Sequence, residues 1–107
     1  MLRPCAHWAL KQALIAPFVD FEGELTAIEP LDFRPWASAL FTGARHCLGL
    51  HLIGEGARAA ADAFLAGLSE RDYDLTGHVL IDIALISDSE DKYGVHLVIE
   101  ALTVELD

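Results

Sequence analysis

Two runs near the end of the chain, HVLIDIALI (78–86) and VHLVIEALTV (95–104), limit its fold most. Both are dense in Val, Ile and Leu, and the polar segment SDSEDKYG lies between them. That enrichment favours strands over helices, and the polar break makes a hairpin of residues 77–86 and 94–105. Within each run a histidine is followed four residues later by a carboxylate: His78 and Asp82, His96 and Glu100.

Side chains alternate across a strand. Val79, Ile81, Ile83 and Leu85 therefore share one side with Val95, Leu97, Ile99 and Ala101. His78, Leu80 and Asp82 share the other with His96, Val98 and Glu100. The register expected sets Asp82 opposite His96 and His78 opposite Glu100, on either side of a Leu80–Val98 contact. Residues four apart on a strand lie about 13 Å from one another. Metal ligands must converge to about 2.0–2.2 Å from the ion, so neither motif alone is a chelate and no metal site is expected. A half-site completed by a symmetry mate is the one metal arrangement left. The four residues His78, Asp82, His96 and Glu100 stand instead as candidate acid–base groups. Leu102, Val104 and Leu106 continue their face, which a solvent-facing strand would not carry. A lid is expected over it, in part a second copy of the chain.

The rest of the sequence reads as two helices and three more strands. Pro4 and Pro17 bracket a short helix over 5–16, with Trp8 and the Ala/Leu positions as its apolar stripe and Lys11 and Gln12 outside. Residues 19–28 alternate acid and apolar as a strand does, and 29–35, with two prolines, is a connector. Residues 36–41 and 46–53 read as strands joined through Thr42–Gly43–Ala44. ARAAADAFLAGLS (57–69) is the clearest helix, with Ala57, Ala61, Phe64, Leu65 and Leu68 on one face. The expectation is one α+β domain spanning 1–107. It is a two-layer sandwich in the order α-β-β-β-α-β-β, with two helices on a mostly antiparallel sheet.

Composition narrows function. The chain has 17 Asp and Glu against 7 Lys and Arg, a formal net charge of -10. Such a field repels phosphate backbones and anionic headgroups, so neither nucleic acid nor membrane is an expected partner. Apolar residues make up 53 % of the chain even with glycine left out. Average soluble domains reach about 45–50 % with glycine counted in. A subunit interface is the commonest place for the surplus. Cys5 and Cys47 form no pairing framework and read as free thiols of a reducing compartment. With no run of 18 uncharged apolar residues and no clear leader pattern, a soluble cytoplasmic protein is expected.

Other motifs have plain explanations. His46 and Cys47 are adjacent on a strand and point to opposite faces, so the imidazole cannot activate the thiol. Gly54–Glu55–Gly56 opens a helix, but Glu55 repels an anion and no Walker lysine follows. Asp88–Asp91 lacks the glycine and terminal glutamate of a calcium loop. Trp36 is the weak candidate for a small-molecule pocket. No cofactor is implied. The function expected is that of a small acidic, non-catalytic, self-associating accessory or assembly protein, acting as a homodimer or on another protein. The alternative is a small-molecule-binding protein or enzyme using the His/carboxylate groups of the last hairpin.

Overall fold

The computed structural model describes residues 6–75 and 77–106, and of residues 28–33 the backbone alone. Helix α1 (Ala6–Ile15) runs into a 3-10 turn, Ala16–Phe18, where Pro17 ends it. Strand β1 (Glu24–Ala37) turns back into β2 (Thr42–Ile53), helix α2 (Ala57–Ala66) follows, and β3 (His78–Asp91) and β4 (Gly94–Glu105) form the last hairpin. The four strands make one open antiparallel sheet in the order β1-β2-β4-β3. The chain is thus a mixed α+β protein. Among the described residues no helix is long and apolar enough to cross a membrane.

One strand fewer is present than the sequence suggests. β1 takes in the second half of the expected strand 19–28, from Glu24 onward, with the connector 29–35 and the start of the expected strand 36–41, while the expected link Thr42–Gly43–Ala44 belongs to β2. Proline forbids a central strand, because it cannot donate to the ladder. β1 is an edge strand, so Pro30 and Pro35 can leave their missing donors on the outer side. A register shift between Ile28 and Asp32 takes up the irregularity. The hairpin reverses at residues 38–41, where Ser38 N donates to Phe41 O at 2.7 Å.

The last hairpin forms as expected but zips further. β3 continues through the polar segment to Asp91, which pairs with Gly94. Asp91 Oδ1 accepts from Tyr93 N at 2.7 Å across this two-residue turn. Gly94 takes φ 138, a value that suits glycine alone.

The core lies between the helices and one face of the sheet. Leu10 and Leu14 of α1 and Phe64 of α2 pack with Leu48, Leu50 and Leu52 of β2 and with Val95, Leu97 and Ile99 of β4. Burying each such side chain stabilises the fold by about 1.5–3 kcal/mol. On α1 the buried positions are Ala6, Ala9, Leu10 and Leu14, while Trp8 is 56 % exposed. At about 3.6 residues per turn, Trp8 falls opposite Ala6 and Leu10, not on their stripe. On α2 Ala57, Ala61 and Phe64 are buried as expected, Leu65 is half-buried, and Leu68 is buried just past the end of the helix at Ala66.

On β4 the odd positions point inward as expected. On β3 they do not all do so. Ile83 is 9 % exposed, but Val79 is 41 % and Ile81 55 % exposed. Register shifts lie between Leu80 and Asp82 and between Leu85 and Ser87. Each extra residue reverses the alternation that a regular strand would keep.

Candidate functional site

The bulge at Ile81 decides the fate of the two motifs. Before it, His78 and Leu80 pair with Glu105 and Thr103 on the helix-covered side; after it, Asp82 pairs with Leu102 on the opposite side. His78 and Asp82 therefore do not share a face. Neither cross-strand pair expected from the sequence forms: Glu100 stands opposite Ala84, and Ser89 stands opposite His96. Glu100 meets Arg45 instead, at 3.8 Å. His78 and Asp82 both border an open, polar groove of about 350 Å³, together with Ser69, Arg71, Asp72 and Tyr73. Burial raises the Tyr73 hydroxyl above its usual range.

All five histidines nonetheless have histidine neighbours, in two groups on the two sides of the sheet. On the helix-covered side His46, 1 % exposed, is held between two elements. Its Nε2 lies 2.9 Å from Thr103 Oγ1 on β4, and its Nδ1 lies 3.1 Å from His7 Nδ1 on α1. The His7 and His46 rings stack with centroids 5.4 Å apart. One of the two Nδ1 atoms must carry the proton of that contact, and the other must accept it. Burial first, then the nearby His7 and His78, push His46 down from 6.5 to about 4.

On the other side, His51 of β2 and His96 of β4 are register partners, and their rings stack at 3.9 Å. His96 Nε2 is 3.3 Å from Asp91 Oδ2, without the geometry of a hydrogen bond. Asp91 is held below its ordinary range, chiefly by the Tyr93 backbone N–H. The sequence carried a signal for this pair. His51 occupies the same alternating side of 46–53 as Cys47, but only the β2–β4 register brings it to His96.

Among the described residues, this second side of the sheet contributes nothing to the core cluster. Its middle columns run Gly43, Arg45, Cys47, Gly49, His51 on β2 against Val104, Leu102, Glu100, Val98, His96 on β4. Trp36 of β1 joins it opposite Gly43. A Cβ on Gly43 would come within 2.9 Å of the Trp36 ring and would collide with the Thr103 carbonyl. Trp36 thus lies over its glycine partner, half-buried, and does not border the groove of His78 and Asp82.

The remaining motifs are spoken for locally. Gly56 caps α2 with φ 83. Asp88 and Asp62 both bind Arg58, at 2.8 Å and 2.6 Å, which lowers the Asp88 carboxyl and raises the guanidinium. His46 and Cys47 point to opposite faces, and Cys47 is half-buried. Cys5 lies outside the described residues. Among the described residues no three His, Cys, Asp or Glu groups are placed to hold a metal ion. No protein-family model, curated protein or solved structure matches the chain.

Proposed function

We propose that the chain is a non-catalytic, self-associating subunit, an accessory or assembly protein that acts as a homodimer through the uncovered face of its sheet. On this reading it is a soluble, cytoplasmic two-layer domain whose helices cover one side and whose second copy covers the other. The observation that carries the proposal is the self-complementary pattern of that face. A two-fold axis running along the strands between β2 and β4 would lay β1 over the partner's β3 and β2 over its β4. Arg34 would then face an Asp82, Gly49 a Val98 and Gly43 a Val104. The exposed edge of Trp36 would meet Val79. Glycine columns against branched aliphatics suit close sheet packing, and opposed charges fix the register.

The size also fits. A face about 40 Å long and about 19 Å wide, from strand rise and spacing, offers roughly 750 Å² per copy. A standard stable interface takes about 800 Å² from each partner. Light scattering at neutral pH should report two chains per particle. Arg34→Asp should weaken association by roughly 10-fold, and the double exchange Arg34→Asp with Asp82→Arg should restore it. A wild-type monomer at micromolar concentration would sink the proposal.

A second reading has one observation behind it. The groove bordered by His78 and Asp82 also holds Arg71, Asp72 and Tyr73, a set able to bind a small neutral or cationic molecule and move a proton. This reading requires His78→Gln to abolish a binding or turnover signal without changing the particle size.

A further inference from the structure

The uncovered face of the sheet carries two imidazoles whose ring nitrogens its own strands leave unsatisfied. His51 of β2 and His96 of β4 are register partners, with rings stacked at 3.9 Å and planes 16° apart. The Nε2 atom of each is shut off from water and has no hydrogen-bond partner. Stacking does not satisfy it, because a hydrogen bond or a metal meets a ring nitrogen in the ring plane. Orphaned buried nitrogens are rare, and an ion is one of the few things that accounts for them. Asp91 Oδ2 stands 3.3 Å from His96 Nε2. A carboxylate beside one ring nitrogen is the common companion of a histidine that binds metal through the other. The chain's formal charge of -10 draws cations to it.

One copy supplies two imidazoles, and a closed transition-metal site takes about four ligands. The two-fold axis of the proposed homodimer runs between β2 and β4, and register partners stand at the same height along it. The axis that lays Gly49 over a Val98 therefore lays His51 over a His96, and gathers four imidazoles at one point. Packed sheets lie about 10 Å apart, a gap that one imidazole from each side spans.

We infer that the homodimer interface is a metal site: His51 and His96 of two copies together bind one divalent transition-metal ion on the two-fold axis. The inference rests on the homodimer reading and adds to it the ion and its ligands. Imidazole selects the class, since it suits Zn2+, Cu2+ and Ni2+ while Mg2+ and Ca2+ take oxygen ligands. Binding turns the rings from their stack until four nitrogens converge to about 2.0–2.1 Å from the ion. His96, its side chain 35 % exposed, has room to turn. Cys47 shares the face but lies about 13 Å along the strand from His51, outside the ligand set. With two ligands in each copy, the site agrees with the finding that no three such groups converge among the described residues of one chain.

The full chain, stripped with EDTA and titrated with zinc chloride, tests this. Sedimentation equilibrium reads the dimer dissociation constant, and calorimetry reads the stoichiometry. One Zn2+ should bind per two chains. At free Zn2+ about 100 times its own dissociation constant, the dimer constant should fall roughly 100-fold. Co2+ in its place should give the visible bands of a tetrahedral nitrogen site. His51→Gln and His96→Gln should each make the dimer constant indifferent to zinc. Asp91→Asn, which can still accept from Tyr93 N, should weaken zinc binding about 10-fold. A metal-free dimer that zinc does not tighten, one ion bound per chain, or histidine variants that respond like the wild type overturn the site and leave the homodimer standing. A chain that stays monomeric with and without zinc overturns both. A chain that pairs only with zinc, one ion to two chains, upholds the site and overturns association without metal.

Discussion

Thr103 illustrates how one hydroxyl can be worth more than its size. Fully buried, it offers His46 Nε2 its 2.9 Å contact and stands 3.5 Å from the Ala44 carbonyl. Thr103→Val keeps the volume and removes the partner of a buried ring nitrogen. The expected cost is about 1–3 kcal/mol in urea unfolding at pH 7.5. His46 itself makes global stability pH-dependent: it should contribute at most about 3 kcal/mol, complete above pH 6.5 and lost towards pH 4. Gly43 is the counterpart on the opposite face. A side chain there meets the Trp36 ring and the Thr103 backbone, so Gly43→Val should destabilise by about 1–3 kcal/mol, with the loss visible in thermal melts.

Strand β3 shows what an element can do to a pattern. Ile81 and Ile83 look equivalent in the sequence, two residues apart in one apolar run. One is 55 % exposed and the other 9 %. Ile83→Ala should cost about 2–4 kcal/mol, and Ile81→Ala no more than about 0.5 kcal/mol, a contrast that paired denaturant melts would read. The strands 78–86 and 94–105, the inward set on β4 and the buried face of α2 were all legible in the sequence, because periodicity reports one element at a time. The histidine–carboxylate pairs were misread for the same reason. A bulge leaves no mark in periodicity, yet it moves every residue beyond it to the other side. The polar stretch 87–91 read as loop because its residues lack strand propensity. At a sheet edge the ladder to β4 holds them extended all the same. β1 hid behind its prolines, which an edge tolerates and a central strand does not. The two histidine groups depend on pairing between distant strands, which no local spacing encodes.

At the scale of the whole molecule, coverage of the sheet is lopsided. Helices shield one side, and Trp36, Leu102, Val104 and Val98 remain half-buried on the other. If the proposed homodimer uses that side, Leu102→Lys should yield monomers in sedimentation velocity while melting like the wild type. A variant on α2's exposed surface, such as Ala63→Lys, should leave particle size unchanged.

The two bulges of β3 bear on how far any assembly can grow. A smooth fourteen-residue border of unpaired amides would invite strand after strand and end in fibrils. Here Ile81 and Ile86 interrupt the ladder, and Asp82, Asp88 and Glu90 place negative charge along the same border. Lateral extension is thereby frustrated at the rim, whereas the proposed two-fold stacking would consume the uncovered face of the sheet and stop at two. Straightening β3 by deleting Ile81 and Ile86 should turn a finite particle into one that polymerises, visible as thioflavin-positive aggregate where the parent protein stays clear.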